Sequence, residues 1–294
     1  DRGPVALAEL LIRHGAIEWE PSARGRSALD IARRTRAPDR AALIHLLDRP
    51  VIEDPAFRAA VDAVQTGDVE RLTRLLDAAP RLLTARIQEP ACYRESGRGQ
   101  YFLDPKLFWF VANNPTLVEH QADNMADVAR VMLARGVPKA DLDYALGLVM
   151  TSDTARAQGL QVPLVALLVE AGATADPANV RGALAHCETG IVENLVDHGL
   201  PMIAWIAAAL GRLPALERLL RTASQADKNE ALDLAVINNR LEAARLALAA
   251  GATVDRQSSH HQHAQPLHQA ALHDNVPLVA LLLAHGAKTD VVDE

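Results

Sequence analysis

Aromatic residues are scarce in this chain: Phe, Trp and Tyr make up 3% of its 294 residues. Hydrophobic residues still reach 49%. The apolar fraction is therefore mostly Ala and Leu, which suits close helix packing better than a sandwich or barrel, whose strands favour aromatic and β-branched side chains. Lysine is scarce too. Only Lys106, Lys139, Lys228 and Lys288 stand among 30 basic residues, and this reliance on Arg, with abundant Ala, points to a bacterial source. A net charge of −7 and a pI of about 5.9 leave no overall basic field for phosphates, so nucleic acid is not an expected partner.

Cysteine is limited to Cys92 and Cys187. Two thiols so far apart do not make a disulfide framework, and a reduced, cytoplasmic setting is the simple expectation. No apolar run approaches the roughly 20 residues of a membrane span, and the opening residues do not read as a signal peptide. Nucleotide-binding glycine loops, a nucleophile-elbow serine and a His-Glu-x-x-His zinc motif are all missing. His186 and Cys187 are adjacent, but neighbouring helix positions point about 100° apart, so they do not form a thiolate–imidazole couple. No catalytic residue and no cofactor are expected.

What is present is a repeat. An apolar helical stretch ending in Gly recurs as Leu10-Leu11-Ile12-Arg13-His14-Gly15, as Val131 to Gly136, as Leu167 to Gly172, as Leu195 to Gly199, as Leu246 to Gly251 and as Leu281 to Gly286. Gly is the expected helix C-cap here, since it enters the left-handed region without a Cβ penalty. Three further ends, at Leu46-Leu47-Asp48, Leu75-Leu76-Asp77 and Leu219-Leu220-Arg221, lack it. The period is about 30 residues, the range of helical repeat units. Second helices are predicted near 5–14, 39–48, 69–78, 125–135, 162–171, 190–198, 214–222, 241–250 and 277–285. First helices are predicted near 27–34, 56–66, 104–113, 141–151, 179–187, 201–210, 229–238 and 266–273.

The phrase Gln265-Pro266-Leu267-His268-Gln269-Ala270 opens the clearest first helix, and Leu278 to Ala287 completes its unit. These residues resemble the ankyrin-repeat family, whose helices open on Thr-Pro-Leu-His-x-Ala. Leu107 to Asn114, Asn124 to Gly136 and Tyr144 to Ser152 further resemble a group of divergent bacterial ankyrin proteins, a likeness that brings no biochemical function with it. The resemblance implies an all-α solenoid of about eight helix pairs plus a leading half-repeat, with short hairpin-like finger loops. It forms a single domain over 1–294, with an irregular, insertion-bearing repeat at 86–124 and both ends looking truncated. The leading half-repeat is expected to expose Leu7, Leu10 and Leu11, a surface able to pack on another chain.

Departures from the repeat are where function is expected, because packing explains the regular parts. The insertion from Arg86 to Asp104 holds Tyr93, Arg94 and Tyr101. It reads either as a binding loop or as a segment folding back to bury its aromatics. Asn113 to Asn124 and Thr151 to Gly159 are stretched turns, either flaps or tolerated surface insertions. Five of 11 histidines lie between His260 and His273. His261, His263 and His268 are a weak candidate metal set, and His273 is added as a partner contact. His268 occupies the family's His position, which needs no metal. Trp109, Asn113, Tyr144, Trp205, Asn238 and Asn239 are candidates for the concave face, although Trp205 also suits a core and Asn238-Asn239 a helix end.

The resemblance makes another protein the expected partner, bound through the concave face and finger loops. The alternative is a small-molecule- or metal-binding protein, possibly an enzyme, with a pocket formed by the 86–124 insertion and the 260–273 histidine finger.

Overall fold

A computed structural model describes residues 3–16, 26–96, 100–258 and 265–290. Among the described residues the regular elements are all helical, with no β-strand and one isolated antiparallel bridge, Arg86 to Lys106. The chain divides into two compact units, Asp1–Leu148 with Ser152–Leu160, and Val149–Thr151 with Gln161–Glu294.

The first unit holds α1 (Pro4–Arg13), α2 (Ala28–Arg34), α3 (Arg40–Leu47), α4 (Pro55–Thr66), α5 (Val69–Ala78), α6 (Ala91–Glu95), α7 (Met125–Leu133), most of α8 (Lys139–Met150) and α9 (Asp153–Ala157). Local chemistry sets these ends. Ser27 and Asp30 form a reciprocal capping box at the start of α2, with Ser27 Oγ accepting from the Asp30 N–H at 3.2 Å and Asp30 Oδ2 accepting from the Ser27 N–H at 3.1 Å. Asp54 caps α4 ahead of Pro55, its carboxylate accepting from the Ala56 N–H at 2.9 Å. Helices α2 and α3 pack as a pair, α4 and α5 as another, and α1 lies on α3 and α6.

The second unit holds α10 (Gln161–Glu170), α11 (Pro177–Ala185), α12 (Thr189–Asp197), α13 (Ala204–Ala209), α14 (Leu213–Leu220), α15 (Gln225–Ile237), α16 (Leu241–Ala249), α17 (Pro266–Leu272) and α18 (Val276–Ala284). Here the repeat is regular. First helices α13, α15 and α17 stack on one another, and second helices α14, α16 and α18 do the same. Every residue from Ala231 to Ile237 is buried, so the second half of α15 is enclosed on all sides, as at the centre of a stack. Small Ala residues at 204 and 207–209 let the neighbouring backbones approach.

All nine expected second helices are present, each within about two residues of its expected limits. The six glycines of the recurring phrase all take positive φ, from 84° to 101°. One first helix differs. Residues 104–113 were expected as an α-helix, but Leu107–Ala112 form a 3₁₀ turn. All six side chains are buried, so the segment has no polar face to offer solvent, and Asn113 stops it at φ 47°. In the stretched turn from 151 to 159, α9 forms because Ser152 caps it, Oγ accepting from the Ala155 N–H at 3.2 Å.

Candidate functional site

The insertion folds back. Tyr93, on α6, is 1% exposed and joins a core made by Ile12, Ala32, Leu46, Leu47, Val51 and Cys92. Its hydroxyl donates to the Leu46 carbonyl at 2.7 Å, which satisfies the one polar atom the ring carries inward. The Arg49 guanidinium lies 4.2 Å from the centre of that ring and donates to both carboxylate oxygens of Glu89, at 2.8 and 2.9 Å. Arg94 grips Asp104 in the same two-pronged way, at 3.0 and 2.9 Å. Asp104 also accepts from the Glu89 N–H at 2.7 Å. The expectation that Tyr93 reaches a partner is therefore corrected, since the ring is needed to close the first core.

Trp109 is corrected likewise. It is 5% exposed, with the Tyr144 ring 4.2 Å away and the Arg86 guanidinium 5.0 Å from its centre. Tyr144 is half-buried, and its hydroxyl donates to the Tyr101 carbonyl. Burial pushes the Tyr101 and Tyr144 hydroxyls above the ordinary phenol range. Asn113 is buried and organises the next turn. Its Oδ1 accepts from the Leu117 and Val118 N–H groups at 2.8 and 3.1 Å. The two stretched turns are joined: the Gln121 N–H donates to Gln158 Oε1 and Gln158 Nε2 donates to the Gln121 carbonyl, both at 2.9 Å.

These contacts leave an open groove of about 680 Å³ in the first unit. It is lined by Ser27, Leu29 and Arg33 at and within α2, by Leu47, Asp48, Arg49 and Pro50, and by Tyr101, Phe102 and Pro115–Leu117. Tyr101 is 49% exposed, and it is the large aromatic that remains exposed among the described residues. Sequence reasoning named Tyr101 but missed the groove. No local signal pointed to it, because its lining comes from residues 27–50 and 101–117, far apart in sequence.

In the second unit, Trp205 is 2% exposed inside α13, with Arg181 5.3 Å from its centre, so it fills core. Asn238 donates to the Leu184 and Leu234 carbonyls at 2.9 and 2.8 Å and ties neighbouring first helices together. Asn239 is exposed at φ 57°, the left-handed turn position that Asn tolerates. His268 Nδ1 accepts from the Gln265 N–H at 3.1 Å, which is helix-start chemistry. His273 Nε2 donates to the Ile237 carbonyl at 2.7 Å, and Cys187 Sγ donates to the same atom at 3.3 Å. Burial raises the Cys187 thiol above its ordinary value. His260, His261 and His263 lie outside the described residues. Among the described residues no cluster of three His, Cys, Asp or Glu side chains suits a metal, and no helix is long and apolar enough to cross a membrane.

Residues 186–293 match the family model of ankyrin repeats, in three copies. That segment holds α12 to α18, the regular stack described above. No curated protein matches the sequence. The described regular elements are all helical, and the segment 186–293 is similar to the ankyrin-repeat family.

Proposed function

We propose that the chain is a protein–protein interaction module. The observation that carries this reading is the ankyrin-repeat array at residues 186–293. Ankyrin repeats generally serve as protein-binding modules, and a stack of repeats offers a long surface without a reaction centre. Of the contact residues expected from sequence, Tyr101, Arg94, Tyr144, Asn239, His268 and His273 keep exposed or half-exposed side chains. They are the proposed contact set, with the finger residues His261 and His263. A cytoplasmic setting in a bacterial cell, and one continuous repeat domain, belong to the same reading.

The test is reconstitution. A protein co-purified from the source cell after cross-linking is made separately and titrated against the full chain by calorimetry. Saturable one-to-one binding, weakened at least tenfold by Tyr101→Ala or by Asn239→Ala with His273→Ala, supports the module. Binding that does not saturate, or that survives all these changes, rejects it.

A second reading is a small-molecule-binding protein, for which the groove would suit a largely apolar molecule. Residues of the 86–124 insertion line it, but their companions are residues 27–50 rather than the histidine finger. Native mass spectrometry of freshly purified protein tests this: a stoichiometric bound mass supports it and a bare chain removes it. Elemental analysis of untagged protein tests the metal version in the same way.

A further inference from the structure

We infer that the groove of the first unit is a receptor for an acidic peptide segment of a partner protein, which seats one large apolar side chain between Leu29, Phe102 and Leu117. The inference rests on the interaction-module reading and names where the module binds and what it selects.

The lining argues for an apolar anchor. Leu29, Leu47, Pro50, Phe102, Pro115 and Leu117 are apolar and make up half of its lining residues. A site for a small polar metabolite needs convergent buried polar groups with free valences. Here the polar side chains of the wall are already engaged. Arg49 is held by Glu89, Ser27 by Asp30, and Arg33 lies 3.5 Å from Asp48. None of the lining residues is among the described side chains that hold a buried polar atom without a partner. The groove therefore has little to give a compact polar ligand, and much to give a Leu, Phe or Trp side chain beside the half-exposed Tyr101 ring. Tyr at the edge of an apolar pocket is a common binding hot spot.

The rim argues for acidic flanks. The whole chain carries −7, yet residues 26–49 hold six Arg against three Asp, a local charge of +3. Arg34 and Arg36, close to Arg33 in sequence at and beyond the end of α2, are exposed and have no ion pair among the described residues. Arg40 donates to the Arg33 carbonyl at 2.8 Å, which holds a further guanidinium at the end of α2. A cationic segment beside the groove of an acidic protein steers acidic partners and repels basic ones.

The test pans a random 12-residue displayed peptide library on the full chain. Enriched peptides are synthesised with a fluorophore and measured by anisotropy on three proteins: wild type, Thr116→Trp, and Arg34→Glu with Arg36→Glu. Thr116 is exposed on the groove wall, so Trp there fills the mouth without entering the core, and circular dichroism confirms that each variant is folded. The expected result is enrichment of peptides carrying one large apolar residue among Asp or Glu. Their affinity should fall at least tenfold on Thr116→Trp, on replacing the peptide's apolar residue by Ala, and on the charge reversal, and should weaken as salt rises. Peptides that bind Thr116→Trp as well as wild type overturn the groove but leave the interaction module standing. Basic or neutral enriched peptides overturn the acidic class. No enrichment at all overturns the receptor, and the reconstitution above then decides the module separately.

Discussion

Tyr93 and Leu46 are 47 residues apart in sequence, yet the Tyr93 hydroxyl donates to the Leu46 carbonyl at 2.7 Å inside the first core. Tyr93→Phe should cost about 1–2 kcal/mol, because it leaves a buried carbonyl without its donor. Tyr93→Ala should cost about 3–5 kcal/mol, because it adds a cavity. Urea unfolding of the full chain measures both, and equal losses would show that the hydrogen bond, not the packing, carries the residue.

Glu89 is fully buried at its side chain while its partner Arg49 keeps 16% exposure. Glu89→Gln should cost about 3–5 kcal/mol, since a buried guanidinium loses its counter-charge. Replacing both partners together, Arg49→Met with Glu89→Leu, should recover most of that loss. A double-mutant cycle by denaturant unfolding checks the coupling, and additive costs would dismiss it.

Asp233 sits in α15 at 2% exposure, its carboxylate paired with Arg256. Burial pushes its pKa from 3.8 up to about 6, against the pull of Arg256 and Ser258. The folded state thus holds this proton more tightly than the unfolded chain. Its contribution should cost no stability below about pH 4, grow as pH rises from about 4 to 6, and reach about 3 kcal/mol above that. Asp233→Asn should flatten this slope. Unfolding free energies at several pH values between 4 and 8 supply the comparison, and an unchanged slope in the variant would remove Asp233 as its source.

Gly67 ends α4 at φ 70°, and a Cβ there would lie 2.8 Å from the Ala122 side chain and nearer still to Asn124. Gly136, at φ 84°, has nothing within 4 Å of such a Cβ. Gly136→Ala should therefore cost only the left-handed penalty, about 1–2 kcal/mol. Gly67→Ala should cost a further 1–3 kcal/mol or so for the overlap. Thermal melts of the two variants side by side decide it, and matching shifts would mean that the turn gives way freely.

The helix pairs were legible because their signals are local. Only Gly caps a helix at positive φ without penalty, so Gly251 and Gly286 mark ends wherever they recur. Pro266 and His268 mark a start for the same reason. Tyr93 was harder. A Tyr in a Gly-bounded loop reads equally as bait for a partner or as core, and the answer depends on Leu46 and Val51 across the fold. Residues 107–112 carry helical periodicity too weak to separate an α-helix from a 3₁₀ turn, and burial on every side decided it. The groove left no sequence signature, because residues of 27–50 and of 101–117 line it together. Asp233 was hidden for a similar reason, since its partner Arg256 lies beyond the next helix.

The fold-back of α6 bears on how this chain can be engineered. Trimming residues 86–104 to restore a regular repeat length is the obvious simplification for a consensus design. Yet Tyr93 and Cys92 supply part of the covering over Ile12, Leu46 and Leu47, a task that elsewhere in such arrays falls to the next helix pair. The segment covers α1 and the end of α3 in place of a helix pair. Shortened versions should lose the first helix pair before anything downstream.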